Sequence, residues 1–145
     1  MKKILEFDYD DHLDFSLIGI YCAHKDFRLC FEINKTLEIN LSRADDLEMK
    51  KEKRGSLSYY SLFNYHNGDN EQYFVIANKG TNGTFINELK HVDYFMLIKN
   101  LAPFNSLTTI AQLLKEISII TGVAILDATE YKSAENFLII DEIKF

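Results

Sequence analysis

Asn67-Gly68-Asp69-Asn70 separates two runs rich in Tyr, Phe, Leu, Val and Ile, residues 57–66 and 73–78. No other feature restricts the fold as much. Asn-Gly supplies the positive φ angles of a tight turn, so the segment predicts a β-hairpin. A second signal is helical. Leu107, Ile110, Ala111, Leu114 and Ile117 fall at i, i+3, i+4, i+7 and i+10 behind Ser106, a residue suited to an N-cap. Gly122 offers a left-handed end to that helix.

The remaining elements are read around these two. Residues 15–22 are apolar on both alternating sets, Phe15, Leu17 and Tyr21 on one and Ile18, Ile20 and Cys22 on the other. That pattern suits a strand covered on both faces. Residues 26–38 read as a helix, with Asp26 as N-cap and a stripe of Phe27, Cys30, Phe31 and Leu37. Residues 4–9 and 38–41 read as short strands, and 43–56 as a long polar loop. Residues 92–99 read as a strand with Val92, Tyr94, Met96 and Ile98 on one face, and 123–127 as another strand. The order of strand, helix, strands, helix, strand predicts an α+β domain. Its sheet is expected to be mainly antiparallel, with two principal helices packed on one face. A ferredoxin-like arrangement is one candidate.

Composition bounds the class. The chain has 145 residues, 47% hydrophobic and 26% charged. A chain of this length buries roughly 68–70% of its unfolded surface, enough for one globular domain spanning 1–145. The formal net charge is −6, which counts against general nucleic-acid binding. The densest basic run, Lys50, Lys51, Lys53 and Arg54, is interrupted by Glu52 and reads as a solvated loop. The N-terminal residues lack the apolar core of a signal peptide, and no apolar run approaches a membrane span. The expected location is cytoplasmic, without membrane contact.

No motif brings nucleophile, base and orienting group together, so no catalytic residue is assigned. Cys22 and Cys30 fit neither a redox pair nor a zinc pair and read as buried small hydrophobes. Asp8, Asp10 and His12 alternate but lack the Gly and Glu of a calcium loop. No metal or cofactor is expected. The string Gly80-Thr81-Asn82-Gly83-Thr84-Phe85-Ile86-Asn87 resembles the Asn-Gly-Thr turn of forkhead-associated domains. The Gly-Arg and Ser-x-x-His that complete the phosphothreonine site of those domains are absent.

A longer resemblance covers most of the chain. Residues 86–94, Ile-Asn-Glu-Leu-Lys-His-Val-Asp-Tyr, are similar to the signature of the bacterial IPExxxVDY family, found mainly in Bacteroidetes. Ile86, Glu88, Val92, Asp93 and Tyr94 match, and Asn87 stands in place of Pro. Residues 15–20, 26–29, 34–35, 46–47, 131–133 and 136–139 also resemble recurring stretches of that family. The resemblance implies no activity, cofactor or partner, because the family is uncharacterised. Read physically, the motif carboxylates suit backbone donors, while Val92 and Tyr94 pack.

The leading expectation is a small non-catalytic domain that binds another protein or its own copy. Tyr59, Tyr60, Phe63, Tyr65, Tyr73 and Phe74 crowd the predicted hairpin and are the candidate interaction surface. A small-ligand regulatory domain is the alternative. An enzyme using Glu88, His91, Asp93 or Tyr94, or a phosphopeptide reader, comes after it.

Overall fold

A computed structural model describes residues 14–50, 56–68, 70–102 and 106–143. The expected strand at 4–9, the Asp8–His12 group and most of the basic run lie outside the described residues. The elements are β1 (Phe15–Cys22), α1 (Asp26–Leu37), β2 (Ser42–Lys50), β3 (Leu57–His66) and β4 (Gln72–Ala77), followed by a short ribbon, β5 (Lys79–Gly80) and β6 (Gly83–Thr84). Then come β7 (Tyr94–Lys99), α2 (Leu107–Lys115) and β8 (Ile120–Leu126). Among the described residues, 3-10 segments cover Asn87–Leu89, Ala128–Glu130 and Lys132–Glu142.

Six strands form one sheet in the order β2-β3-β4-β7-β1-β8, antiparallel at every junction. The fold is therefore α+β with an antiparallel sheet. Tracing β1, α1, β4, β7, α2 and β8 gives β-α-β-β-α-β, the path of the split β-α-β unit. The β2–β3 hairpin is inserted after α1 and widens the sheet beyond β4.

Both faces are buried, as the double apolar pattern of β1 requires. Ile18, Ile20 and Cys22 meet Leu29, Cys30 and Ile33 of α1 and Ile110, Ala111 and Leu114 of α2. On the opposite face Leu17, Tyr60, Phe74, Phe95 and Leu97 meet Phe85, Ile86 and Val92 and the C-terminal Ala134, Phe137 and Ile140. Phe137 is the hub of that second core, with edge-on contacts to Phe15, Phe85 and Phe95 at 5.3–5.6 Å.

Local chemistry explains where elements begin and end. Ser106 caps α2, its hydroxyl accepting the Thr109 N–H at 3.3 Å. Asp26 does not cap α1. Lys25 holds the N-cap position, and Asp26 is the first helical residue, where its charge still complements the dipole. Glu38 ends α1 in the left-handed region at φ 57°, so the expected strand at 38–41 is a turn. Asn34 secures that turn with a pair of hydrogen bonds to the Leu41 backbone, at 2.7 and 3.0 Å.

Four other expectations are corrected. The polar stretch 42–50 is a strand, not a loop. It sits at the sheet edge, where one face and one side meet water, and a bulge between Ala44 and Leu47 breaks its period of two. Gly122 lies inside β8, because α2 closes earlier through the turn at Glu116. Val92 precedes β7 and packs on the opposite face from Tyr94, Met96 and Ile98. In the hairpin, the positive φ falls on Asn70 at 76° rather than on Gly68. The turn closes with the Asn67 N–H donating to the Glu71 carbonyl.

Candidate functional site

The motif segment is organised by a residue the sequence reading passed over. Asn78 follows β4 and is fully buried. Its side-chain amide donates to the Leu89 and Val92 carbonyls, both at 2.8 Å, and its Oδ1 accepts the Ile86 N–H at 2.9 Å. Its own N–H donates to the Asp93 carbonyl, and its carbonyl accepts the Phe85 N–H. One asparagine thus pins both ends of the stretch from Phe85 to Asp93. The hydrophobic members Ile86 and Val92 are buried beside it.

The motif carboxylates point to separate places. Asp93 Oδ2 accepts the Cys22 N–H at 2.8 Å, and its Oδ1 lies 3.4 Å from Lys79 Nζ. Glu88 is exposed, and its Oε2 accepts the Ser133 N–H at 3.1 Å. Partial burial pushes the Glu88 carboxyl up, but hydrogen bonds from Ser133 and from the Lys132 backbone bring it below its ordinary value. The two do not share a site. Tyr94 is buried and donates its hydroxyl to the His24 carbonyl at 2.7 Å. Burial, and then the charge of Asp26, pushes that phenol well above its usual range.

The Gly80–Thr84 turn is not an open anion nest. Its Thr81 N–H donates to the Tyr59 carbonyl and its Asn82 N–H to Ser58 Oγ. A phosphate would have to displace both.

The six hairpin aromatics do not form one surface. Tyr60 and Phe74 lie in the core beneath the C-terminal segment. Phe63 and Tyr73 lie in the core beneath the helices, with Tyr65 half-buried against them. Only Tyr59 is exposed. Alternation along two paired strands sends neighbouring rings to opposite faces, and here both faces are covered.

The exposed rings are on α1 instead. Phe27 and Phe31 are 63% and 59% exposed, although the sequence placed them on the buried stripe. Leu29, Cys30 and Ile33 form the actual stripe, and at 100° per residue Phe27 lies about 110° and Phe31 about 150° from its centre, which turns both rings to solvent. Asn34, seven residues after Phe27, is bonded to Leu41 just ahead of β2. Lys35 Nζ stands 5.3 Å from the Phe31 ring centroid.

Two adjoining clefts open at the N-terminal end of α1. One, about 490 Å³, is lined by Cys22, His24, Lys25, Lys79, Asp93 and Tyr94. The other, about 430 Å³, shares Lys25, Lys79 and Tyr94 and adds Asp26, Arg43 and Tyr59. They form a groove between the N-terminal end of α1 and the part of the sheet that the helices leave uncovered. Motif residues Asp93 and Tyr94 form part of its floor.

The described residues hold no group of three or more His, Cys, Asp or Glu placed to bind a metal. Among them no helix is long and apolar enough to cross a membrane. Cys22 and Cys30 are free and buried, and burial raises both thiols above their ordinary value. Compared with family models, curated proteins and solved structures, the chain matches none.

Proposed function

We propose that this chain is a non-catalytic protein-interaction domain whose partner docks on the exposed face of α1 and the groove at its N-terminal end. The observation that carries the reading is the exposure of Phe27 and Phe31, one helical turn apart. Aromatic rings concentrate at binding surfaces, where they bury large area at small entropic cost. The groove cations Arg43 and Lys79 are matched by Asp46 at 2.6 Å and Asp93 at 3.4 Å, so the exposed rings rather than net charge carry the docking.

Small-molecule recognition has less support. The polar groups of the groove floor already have protein partners: Asp93 holds Cys22 and Lys79, and the Tyr94 hydroxyl holds His24. Few remain to orient a ligand. Membership of the IPExxxVDY family belongs to the same proposal. Its support is the residue series from Ile86 to Tyr94, which includes two groups of the groove floor.

The test is affinity capture from the native host with wild type and with the Phe27→Ser, Phe31→Ser double variant. Both rings are exposed, so the variant is expected to keep wild-type stability. A partner held by wild type and lost by the variant supports the proposal. Identical recovery by the two proteins overturns it.

A further inference from the structure

The two edges of the six-stranded sheet are built in opposite ways. β2 carries five charged residues in nine, Arg43, Asp45, Asp46, Glu48 and Lys50, together with its bulge. Charges and bulges are devices that keep an edge from pairing with another chain. β8 has neither a charge nor a Pro in its seven residues. Its outer side pairs with no strand among the described residues.

The absence of charge extends into the helix beside it. α2 packs on β8 and is uncharged from Leu107 to Leu114. Between Ser106 and Leu126 only Lys115 and Glu116 are charged, in a chain that is 26% charged. Ile125 lies opposite Ile18 in the sheet register, on the helix-bearing face, and is 48% exposed. Val123 lies opposite Ile20 on that same face.

We propose that β8 pairs antiparallel with β8 of a second copy, joining two sheets across a two-fold axis at Ala124. In that register Ile125 of each copy faces Val123 of the other, and Gly122 faces Leu126. The exposed isoleucine thereby gains a β-branched cross-strand neighbour. A second copy fits because the two-fold sets Val123 and Ile125, which share one face of β8, against each other on both sides of the axis, so the strand is complementary to itself. α2 brings a second uncharged surface to the same boundary and widens the contact beyond one strand. Charge depletion of this kind marks the centre of protein interfaces. The site is separate from the groove and does not rest on it.

Sedimentation equilibrium of the full chain tests the proposal. Wild type is expected to be a dimer and Ile125→Lys a monomer with an unchanged circular dichroism spectrum. Glu48→Lys, on the opposite edge, is expected to leave the dimer intact. Ala124→Cys is expected to form an intermolecular disulfide under mild oxidation, since Cys22 and Cys30 are buried. A wild-type monomer, or a dimer that survives Ile125→Lys, overturns the pairing. Loss of the dimer in Ile125→Lys without cross-linking of Ala124→Cys overturns the register.

Discussion

The carboxylate of Asp93 accepts the backbone N–H of Cys22 at 2.8 Å, joining the approach to β7 with the end of β1. The register between β1 and β8 shifts at Tyr21/Cys22, so the bond lies where the end of β1 is irregular. A side chain supplies an acceptor for the Cys22 amide. Asp93→Ala leaves that amide without its partner in a part-buried position, at a cost of about 1–3 kcal/mol. Asp93→Asn keeps an acceptor oxygen and loses only the attraction to Lys79, which is largely exposed and contributes little. Chemical denaturation is expected to rank wild type and Asn close together, with Ala clearly below. Equal losses for Asn and Ala would falsify the backbone-acceptor role.

Asn78 is expected to matter more for stability than either motif carboxylate. Its side chain makes three hydrogen bonds to the backbone between Ile86 and Val92, and it is fully buried. Asn78→Leu would strand two carbonyls and one N–H, a loss of roughly 3 kcal/mol or more. Asn78→Asp fails as well, because a carboxylate cannot donate to the Leu89 and Val92 carbonyls. Urea unfolding measures both variants, and hydrogen exchange is expected to show loss of protection at the Ile86 amide. A variant as stable as wild type would remove Asn78 from the centre of this segment.

What was legible in the sequence follows from how locally each feature is encoded. The β3–β4 hairpin and α2 carry their signals within a few residues, and both are where the pattern puts them. β1 was readable as doubly covered because its apolar residues occupy both alternating sets. β2 was not readable, since edge charges imitate a loop and the bulge disrupts alternation. The stripe of α1 is ambiguous in the sequence, since Phe27, Cys30 and Phe31 also fit a helical spacing, whereas Leu29, Cys30 and Ile33 define the buried side. Asn78 gives no local signal at all. Its partners are 8 to 14 residues away, and only the folded chain brings them together.

Gly80 is held by packing rather than by backbone angle. A Cβ added there would stand 2.5 Å from Tyr60 Cε1 and 2.8 Å from Ser58 Oγ. Tyr60 is fully buried and packs edge-on against Phe85 at 5.1 Å, so it has no room to retreat. Gly80→Ala is expected to cost roughly 1–3 kcal/mol through overpacking. Thermal unfolding measures this, and the double variant Gly80→Ala, Tyr60→Leu should lose less than the sum of the single effects. Strict additivity would show that the contact with Tyr60 is not the cause.

Tyr73 gives the fold a defined alkaline weakness. Burial first, and then the charge of Glu71 and its hydrogen bond, push the Tyr73 phenol from 10.0 up to about 12. Glu71 is itself buried, and its Oε1 accepts the Tyr73 hydroxyl at 3.2 Å. A raised phenol pKa means that the folded state holds its proton more tightly than the unfolded chain does. The resulting stability is fully present below pH 10 and is lost as pH climbs from about 10 to about 12. Ultraviolet titration of the native protein should therefore show late-ionising tyrosines, with Tyr94 later still. Tyr73→Phe is expected to flatten the fall of stability across that interval. Glu71→Gln removes the carboxylate charge, so the Tyr73 titration should move down while the larger effect of burial remains. Its single amide oxygen cannot replace both carboxylate oxygens, which accept from Asn67, Tyr73 and the Ala102 N–H, so a loss of stability should accompany the shift. A Tyr73 titration that does not move in Glu71→Gln would assign the shift to burial alone.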